Sequence, residues 1–305
     1  MPPLFSDPER LAMGKAVQRN GGRKRTNVEP ITSEECKDSE GNWTKWVIER
    51  CTEEERKAYD ELSELCRQDP LVSWVSENHK LRFLSGHKFA VQPTFKALVD
   101  AETWRYENKC DTLTQEDIKP NLDAKSHGII GQDKDGRYVI FCCARKLMPE
   151  FTTSVQSAQF MMYFMDSTIS KLPAHVDQVI MIYDVSGLAY KNFSKDIGKA
   201  LISVASKVFA GHMKQQIVIN SGFTVKMLYK MVSPFMHERS RRKFHFLGDD
   251  YNTNRAFLLS KMNNDQLPSD LGCTNLSIED ILERYAENAH QDHMRNLAEL
   301  EPDSV

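Results

Sequence analysis

The segment Asp184-Val185-Ser186-Gly187 places a carboxylate and a hydroxyl directly after an apolar run, Val179 to Tyr183. If that run is a strand of an α/β sheet, both groups lie at its carboxyl end, where such folds bind ligands. Ser186 could act as a nucleophile there, but it lacks the flanking glycine of a nucleophile elbow and has no evident base partner. A turn at the strand end is the simpler interpretation. We therefore predict no catalytic residue and a protein that is not an enzyme.

Other chemistry-bearing motifs are equally weak. His290 and His293 are three residues apart and could begin a metal site, but no third ligand lies near them in this acidic segment. Neither a dinucleotide-binding Gly-x-Gly-x-x-Gly motif nor a phosphate-binding Gly-Lys-Ser/Thr loop occurs in the chain. We predict no metal site and no cofactor.

A basic run, Arg239-Ser240-Arg241-Arg242-Lys243, is the strongest local concentration of charge. In isolation such a run resembles a nucleic-acid patch or a localisation signal. This run lies between an apolar helix and an apolar strand, so it is part of the folded domain rather than a free basic tail. We predict no nucleic-acid partner.

The helix before this run is apolar on two sides. One stripe is Val225, Leu228, Tyr229 and Val232, and the other side carries Met227, Met231, Phe235 and Met236. A helix of this kind either buries both sides or exposes one of them intermittently. Beside a cationic rim, it suits a membrane-touching lid over an apolar chamber beneath residues 224–236. The alternative, a core helix followed by a solvated basic turn, stays open on these residues alone.

The elements around these motifs follow from the apolar pattern. Three helices are predicted in the first 110 residues: from Thr52 to Cys66, from Asp69-Pro70 onwards, and from about Pro93 to Tyr106. After residue 110 the apolar pattern changes to that of short strands alternating with helices, which indicates a mainly parallel sheet buried on both faces. The strands are predicted at Tyr138–Cys143, Val179–Tyr183, Gln216–Asn220 and Lys243–Leu247, and the helices between the first three at Ser154–Leu172 and Ser194–Phe209.

The fold class is therefore α/β, with an N-terminal helical layer followed by a mainly parallel sheet floor with flanking helices. We divide the chain into a basic, disordered segment at residues 1–50, a helical region at 51–110, an α/β domain at 111–276 and an acidic C-terminal helix or tail at 277–305.

Composition is that of an ordinary globular protein, with 40% apolar residues, 27% charged residues and a net charge of −3. The seven cysteines are odd in number and show no Cys-x-x-Cys spacing, which indicates free thiols in a reducing compartment. The N-terminus lacks an apolar signal core, and no apolar run approaches the ~20 residues that span a bilayer. We expect a cytoplasmic protein whose membrane association is peripheral.

Several short motifs, each weak alone, occur in one order. They are Leu81 to Phe89 followed by Trp104-Arg105, Asp135 to Val139, Asp184 with Gly187, Ile219-Asn220, Pro234-Phe235, Leu247-Gly248, and Leu267-Pro268 with Gly272. Together, over about residues 75 to 273, they resemble the CRAL-TRIO lipid-binding family and its phosphatidylinositol/phosphatidylcholine transfer proteins. The resemblance implies a sheet floor, a deep apolar lipid pocket and a mobile gate helix, here about Thr224 to Met236.

The resemblance also implies site residues. In the phosphatidylinositol-transfer branch, basic and hydroxyl groups hold the inositol phosphate, and the positions here that correspond are His87, Lys88, His212, Ser240 and Lys243. The chain departs from the branch at Phe209 to His212, where an acid and an arginine are replaced, and at Tyr138, where proline is common. Arg239, Arg241, Arg242 and Lys243 resemble the basic rim by which tocopherol-type carriers meet phosphoinositide head groups.

The expected ligand is one lipid held in an internal pocket. The pocket-wall candidates come from the methionine-rich helix and two strands, since methionine adapts to flexible ligands: Phe141, Met161, Met162, Met165 and Ile182. The gate-helix residues are Val225, Met227, Leu228, Tyr229, Met231, Val232 and Phe235. The predicted function is transfer or presentation of the lipid at a transiently bound anionic membrane. The alternative is a protein-interaction scaffold or small-GTPase regulator on the same fold, with a partner that the sequence does not name.

Overall fold

The computed structural model describes residues 32–38, 41–272 and 276–288. The chain divides into two compact units. Of the described residues, the first unit comprises 32–38, 41–112, 174–177 and 207–211, and the second comprises 113–173, 178–206, 212–272 and 276–288.

The first unit is built from three helices: α1 (Glu53–Gln68), α2 (Glu77–Gly86) and α3 (Val91–Glu107). The start of α1 is the capping box predicted from Thr52, whose side chain accepts from the Glu55 backbone while Glu55 accepts from the Thr52 backbone. Apolar side chains of all three helices form one buried core, which includes Leu62, Leu84 and Leu98. These helices confirm the predicted helical layer.

The second helix begins later than the sequence predicts. Residues 70–74 form a turn rather than a helix, because the Asp69 carboxylate accepts from the Leu71 backbone nitrogen at 3.1 Å. The helix α2 begins at Glu77, where Ser76 is the N-cap. Asp69-Pro70 is thus a turn signal here, although the same pair also opens helices.

A buried polar cluster holds α2 in the first unit. Arg82 donates to His79 Nδ1 at 3.0 Å, and Asn78 donates to the Asp177 carboxylate at 2.8 Å. Burial, reinforced by the Arg82 guanidinium, lowers the pKa of His79 well below its usual value. The imidazole is therefore neutral and accepts the hydrogen bond.

The second unit is organised around a five-stranded sheet in the order β1 (His127–Gln132), β2 (Tyr138–Cys143), β3 (Val179–Asp184), β4 (Met213–Ile219) and β5 (Phe244–Phe246). The strand β1 pairs antiparallel with β2, and the other neighbours are parallel. This confirms the predicted mixed α/β fold with a mainly parallel sheet.

The helices of this unit are α4 (Gln115–Asp123), α5 (Ser154–Ser170), α6 (Lys195–Lys207), α7 (Phe223–Val232), α8 (Glu238–Arg241) and α9 (Tyr251–Lys261); residues 278–288 are also helical. Sequence patterns missed β1, α4 and α9. The strand β1 contains Gly128, where an added Cβ would lie 3.2 Å from the Leu282 side chain, so close packing explains the glycine that hid the strand.

The two faces of the sheet are packed differently. Side chains alternate along each strand, so Phe141, Ile182 and Ile217 share one face, called here the α9 face, where Leu258 of α9 completes a buried core. The opposite face, called the α7 face, presents Tyr183, Val218, Phe244 and Phe246, with Val225 of α7 packed against them.

In the described part of the chain, no helix has the length and apolar character needed to cross a bilayer. The six cysteines described, namely Cys36, Cys51, Cys66, Cys110, Cys142 and Cys143, are free thiols. Cys273, His290 and His293 lie outside the described residues.

Candidate functional site

The inner side of α7 packs on aromatic side chains of the α7 face. The Tyr229 ring lies 5.1 Å from the Phe244 ring and 4.8 Å from the Phe246 ring, measured between centroids. Leu228 is buried, and Val225 packs into the same apolar cluster. The predicted inner stripe of this helix therefore faces the sheet.

The outer side of α7 is exposed and apolar. Along α7 and the 3-10 turn that follows it, Ser233–Phe235, four side chains recur at a spacing of four residues: Phe223 is 78% exposed, Met227 52%, Met231 40% and Phe235 48%. We call these four residues the outer stripe. Sequence analysis missed Phe223 because it began the helix one residue later. Large apolar side chains grouped in this way on a surface mark a contact site.

Aromatic rings pack directly beneath α7. Two cavities lie elsewhere in the second unit, and neither is lined by α7. The inner cavity, of about 160 Å³, is enclosed by α4, α5 and the first turns of α6. The outer groove, of about 1120 Å³, lies between α4 and the loop after β2. Pro120, Ala124 and Met148 line both, so the two spaces adjoin.

The inner cavity has an uncharged lining of mixed polarity. Phe160, Met161, Ile197 and Leu201 contribute apolar surface, and His127 contributes its imidazole. Burial lowers the pKa of His127 to about 4, so the imidazole is neutral at physiological pH. Its Nδ1 lies 2.8 Å from Ser126 Oγ, within hydrogen-bonding distance. A charged group gains no counter-ion inside this space.

The five pocket-wall candidates separate into three groups. Met161 lines the inner cavity. Met162 and Met165 are fully buried on α5. Phe141 and Ile182 point to the α9 face, on the opposite side of the sheet from α7, and are fully buried there. These two therefore do not line the space beneath α7, which Tyr183, Val218, Phe244 and Phe246 border instead. Uniformly apolar strands give no periodicity from which the correct face could be read.

The predicted basic rim lies on α8 and the residues after it. Arg239, Arg241 and Arg242 are exposed, and Arg242 pairs with Glu238. Lys243 is partly buried and donates to the Met213 carbonyl oxygen. Burial and the charges of Arg239 and Lys214 lower the pKa of Lys243 to about 8. Sequence analysis missed Lys214, which is remote in sequence but close enough to Lys243 to act on it.

The other head-group candidates are placed as follows. His87 and Lys88 are exposed at the end of α2 in the first unit, where Lys88 has a left-handed backbone with φ of 54°. His212 is buried immediately before β4, and Ser240 is partly exposed on α8. Within the second unit, Ser240 and Lys243 are neighbours, since the Lys243 backbone nitrogen donates to the Ser240 carbonyl oxygen at 3.2 Å. Their roles stay predictions.

The part of the chain that contains the sheet, α7 and the basic rim is similar to a known family of domains. Residues 123–272 match the family model described as the CRAL/TRIO domain. The chain contains a CRAL/TRIO domain. The resemblance inferred from the ordered motifs is therefore confirmed. The matched range includes the whole sheet, α7 and the basic rim, and it ends at Gly272.

Relatives of this CRAL/TRIO domain include two proteins of Arabidopsis thaliana. The phosphatidylinositol/phosphatidylcholine transfer protein SFH12 is 30% identical over 244 residues, covering 72% of this chain and 44% of the relative. The phosphatidylinositol/phosphatidylcholine transfer protein SFH9 is 26% identical over 278 residues, covering 84% of this chain and 45% of the relative. The chain thus spans less than half the length of these curated relatives.

A solved structure supports the fold. The crystal structure of Sfh5 is similar with a TM-score of 0.58 at 15% sequence identity, covering 80% of this chain and 98% of that chain. At this identity the likeness shows the fold alone.

The strand-end residues of the CRAL/TRIO domain form a polar network. The Asp184 carboxylate accepts from Ser186 Oγ at 2.9 Å, from Asn220 Nδ2 at 2.7 Å and from Arg145 at 3.4 Å. The Ser186 hydroxyl thus donates to a carboxylate within the turn that follows β3, while the Asn220 contact ties β3 to the end of β4. Among the described residues, no group of three His, Cys, Asp or Glu side chains is placed to hold a metal ion.

Proposed function

We propose that the CRAL/TRIO domain binds a single lipid in an internal pocket, that α7 is the gate of that pocket, and that the chain transfers or presents the lipid at a membrane. The observation that carries the proposal is the two-sided α7, whose inner side packs on half-buried aromatic rings while its outer stripe faces solvent. The printed names of the two plant relatives, which are phosphatidylinositol/phosphatidylcholine transfer proteins, support the same class of ligand.

The energetics require an apolar host for the lipid. A two-chain phospholipid carries roughly 30 methylenes at ~0.8 kcal/mol each, or about 24 kcal/mol for transfer into water. Escape through water is correspondingly slow. An apolar pocket replaces the bilayer interior almost evenly, so the cost at equilibrium is small and no covalent chemistry is needed.

The packing of α7 defines how such a pocket would form. The inner cavity of about 160 Å³ accommodates a short segment, whereas pockets for drug-sized ligands measure roughly 300–1,000 Å³. The adjoining outer groove of about 1120 Å³ is larger, but charged side chains of α4 and of the loop after β2 line it, so it is not an apolar host. In the proposed function a two-chain lipid therefore requires α7 to move off Tyr183, Phe244 and Phe246. The inner cavity would then be the deep end of a larger apolar space between α5, α6, α7 and the sheet.

The outer stripe and the basic rim would together make the membrane contact. Exposed Lys226 and Lys230 flank the stripe on α7, and Arg239 and Arg241 lie on α8. Each cation near an anionic surface contributes ~1 kcal/mol, and salt screens this attraction. Docking of this strength is transient, as transfer between membranes requires.

The decisive measurement is transfer of fluorescent phosphatidylcholine between donor and acceptor vesicles. We expect the Met227→Asp, Met231→Asp variant to transfer at least roughly tenfold more slowly, because each aspartate puts a charge on a side chain that must enter the interface. Thermal stability should be unchanged, since both methionines are exposed. The matched control is Tyr106→Asp, on an exposed side chain of the first unit.

Mass spectrometry of the purified chain under native conditions should find one lipid per molecule. A chain that carries no lipid, takes up none from vesicles and transfers none would contradict the proposal. A saturable protein partner whose binding is unaffected by the α7 variants would then favour the scaffold alternative.

A further inference from the structure

The strongest unexplained surface feature lies in the loops at the carboxyl end of the sheet. Phe223 at 78%, Tyr190 at 75% and Phe151 at 67% are the three most exposed large apolar side chains that the structure describes. Each follows a different parallel strand: Phe151 follows β2, Tyr190 follows β3 and Phe223 follows β4. Because parallel strands end at the same edge of a sheet, the three loops share that edge.

These loops are held in place by buried polar contacts rather than by their aromatic rings. The buried Asn192 donates to the Arg145 carbonyl oxygen at 3.1 Å and to the Leu147 carbonyl oxygen at 2.9 Å, which ties the β3 loop to the β2 loop. Asn220 donates to Asp184 at 2.7 Å and ties the β4 loop to the end of β3. The rings are thus presented outward on a fixed backbone, although burying them would lower the free energy.

The three loop segments themselves carry more basic than acidic residues. Residues 144–155, 185–199 and 220–232 carry seven lysine or arginine residues and only two acidic residues, Glu150 and Asp196. Three of their cations, Arg145, Lys146 and Lys199, pair with Asp184, Glu279 and Asp196, and the groove beside Phe151 is also lined by acidic side chains of α4. Lys191 and Lys195 are exposed beside Tyr190, and Lys226 is exposed beside Phe223. Aromatic rings among cations match the interfacial region of an anionic bilayer, where the rings enter the head-group layer and the cations meet lipid phosphates.

We infer that Phe151 and Tyr190, with Phe223, form a membrane-docking edge that seats the domain on an anionic bilayer before α7 moves. This inference rests on the proposed function and extends it, since it assigns docking to two loops outside α7. The outer stripe begins at Phe223, so the edge and the stripe are continuous. Docking through the loops places the interface beside α7, whose displacement would then open towards lipid rather than water.

The first test is co-sedimentation with phosphatidylcholine vesicles prepared with and without phosphatidylserine. The Phe151→Ser, Tyr190→Ser variant should bind the phosphatidylserine vesicles about tenfold to a hundredfold more weakly than the unaltered chain. Its thermal unfolding should be unchanged, because both side chains are exposed. Tyr106→Ser, on an exposed tyrosine of the first unit, should bind like the unaltered chain.

The second measurement is amide hydrogen exchange of the unaltered chain with and without the same vesicles. Exchange should slow in the β2 and β3 loops as well as at the start of α7. Protection confined to α7, vesicle binding unchanged in the double variant, or binding of the unaltered chain to no vesicle would each overturn the inference.

Failure of the proposed function is distinguishable from this result. A chain that carries and transfers no lipid, yet docks through Phe151 and Tyr190, would retain the docking edge and lose the carrier role. A chain that transfers lipid normally with both residues changed to serine would retain the carrier role and lose the docking edge.

Discussion

The two faces of the sheet are built from similar strands but have different partners. On the α9 face, Phe141 and Ile182 are fully buried against α9 and the helical residues 278–288. On the α7 face, Tyr183, Phe244 and Phe246 are only partly buried, under a helix whose other side is exposed and apolar. The α9 face is thus fully buried by its partners, whereas the α7 face is partly buried under the helix to which the proposed function assigns the gate.

The sharpest test of this difference uses the same substitution on each face. Phe141→Ala should lower the free energy of unfolding by about 3–5 kcal/mol, because it leaves a cavity in a fully buried core. Phe244→Ala should cost roughly 1–2 kcal/mol, because the ring is partly exposed already. Urea unfolding of both variants measures the two costs. Equal losses of unfolding free energy in the two variants would contradict the difference between the fully buried α9 face and the partly buried α7 face.

A second, smaller effect concerns pH on the α7 face, where register places His127 beside Cys142. The pKa of His127 falls from 6.5 to about 4 on burial. Between these values the unfolded chain binds more protons than the folded chain. The contribution of neutral His127 to the free energy of unfolding is therefore fully present above pH 6.5 and is lost as the pH falls towards 4. The expected loss is roughly 2–3 kcal/mol.

The matched variant for this pH effect is His127→Gln, which keeps a polar group near Ser126 but does not titrate. Its free energy of unfolding, measured in urea across the same pH range, should fall less steeply than that of the unaltered chain. An identical slope in both proteins would show that other groups, such as His79, account for the acid sensitivity.

The smallest effect separates the two sides of α7 itself. Leu228→Ala removes a buried side chain and should cost about 2 kcal/mol. Met231→Ala, on the exposed outer stripe, should change the free energy of unfolding by less than ~0.5 kcal/mol. Thermal and urea unfolding measure both. A comparable loss at Met231 would mean that the outer stripe is packed in solution, contrary to the proposed gate.

The sequence specified the strands of the sheet better than their surroundings. Continuous apolar runs predicted Tyr138–Cys143 with the observed bounds and Val179–Tyr183 to within one residue, because strands buried on both faces cannot carry polar side chains. The same uniformity conceals which face each residue occupies, so the sequence predicts Phe141 and Ile182 as pocket-wall residues although they lie on the α9 face. The strand β1 was hidden by its two glycines, and the polar sequence Tyr251 to Asn254 hid the start of α9.

The site was predictable where a local pattern determines it. Spacing in the sequence alone identified the two sides of α7, and the structure places Leu228 inside and Met227 outside. Contacts between residues distant in sequence were not predictable. Lys214 acts on Lys243 only because β4 and β5 are neighbours, and the inner cavity depends on α4, which sequence analysis missed.

The helical residues 278–288 have a practical consequence for anyone dividing this protein. Leu282 is fully buried against the α9 face, and Glu279 and Glu283, one turn apart, pair with Lys146 and Lys125. The family match ends at residue 272, before this helix. A fragment that ends at residue 272 would expose Gly128 and leave Lys146 and Lys125 without their carboxylate partners. We therefore expect such a fragment to aggregate. A working boundary for expression or proteolysis belongs beyond residue 288.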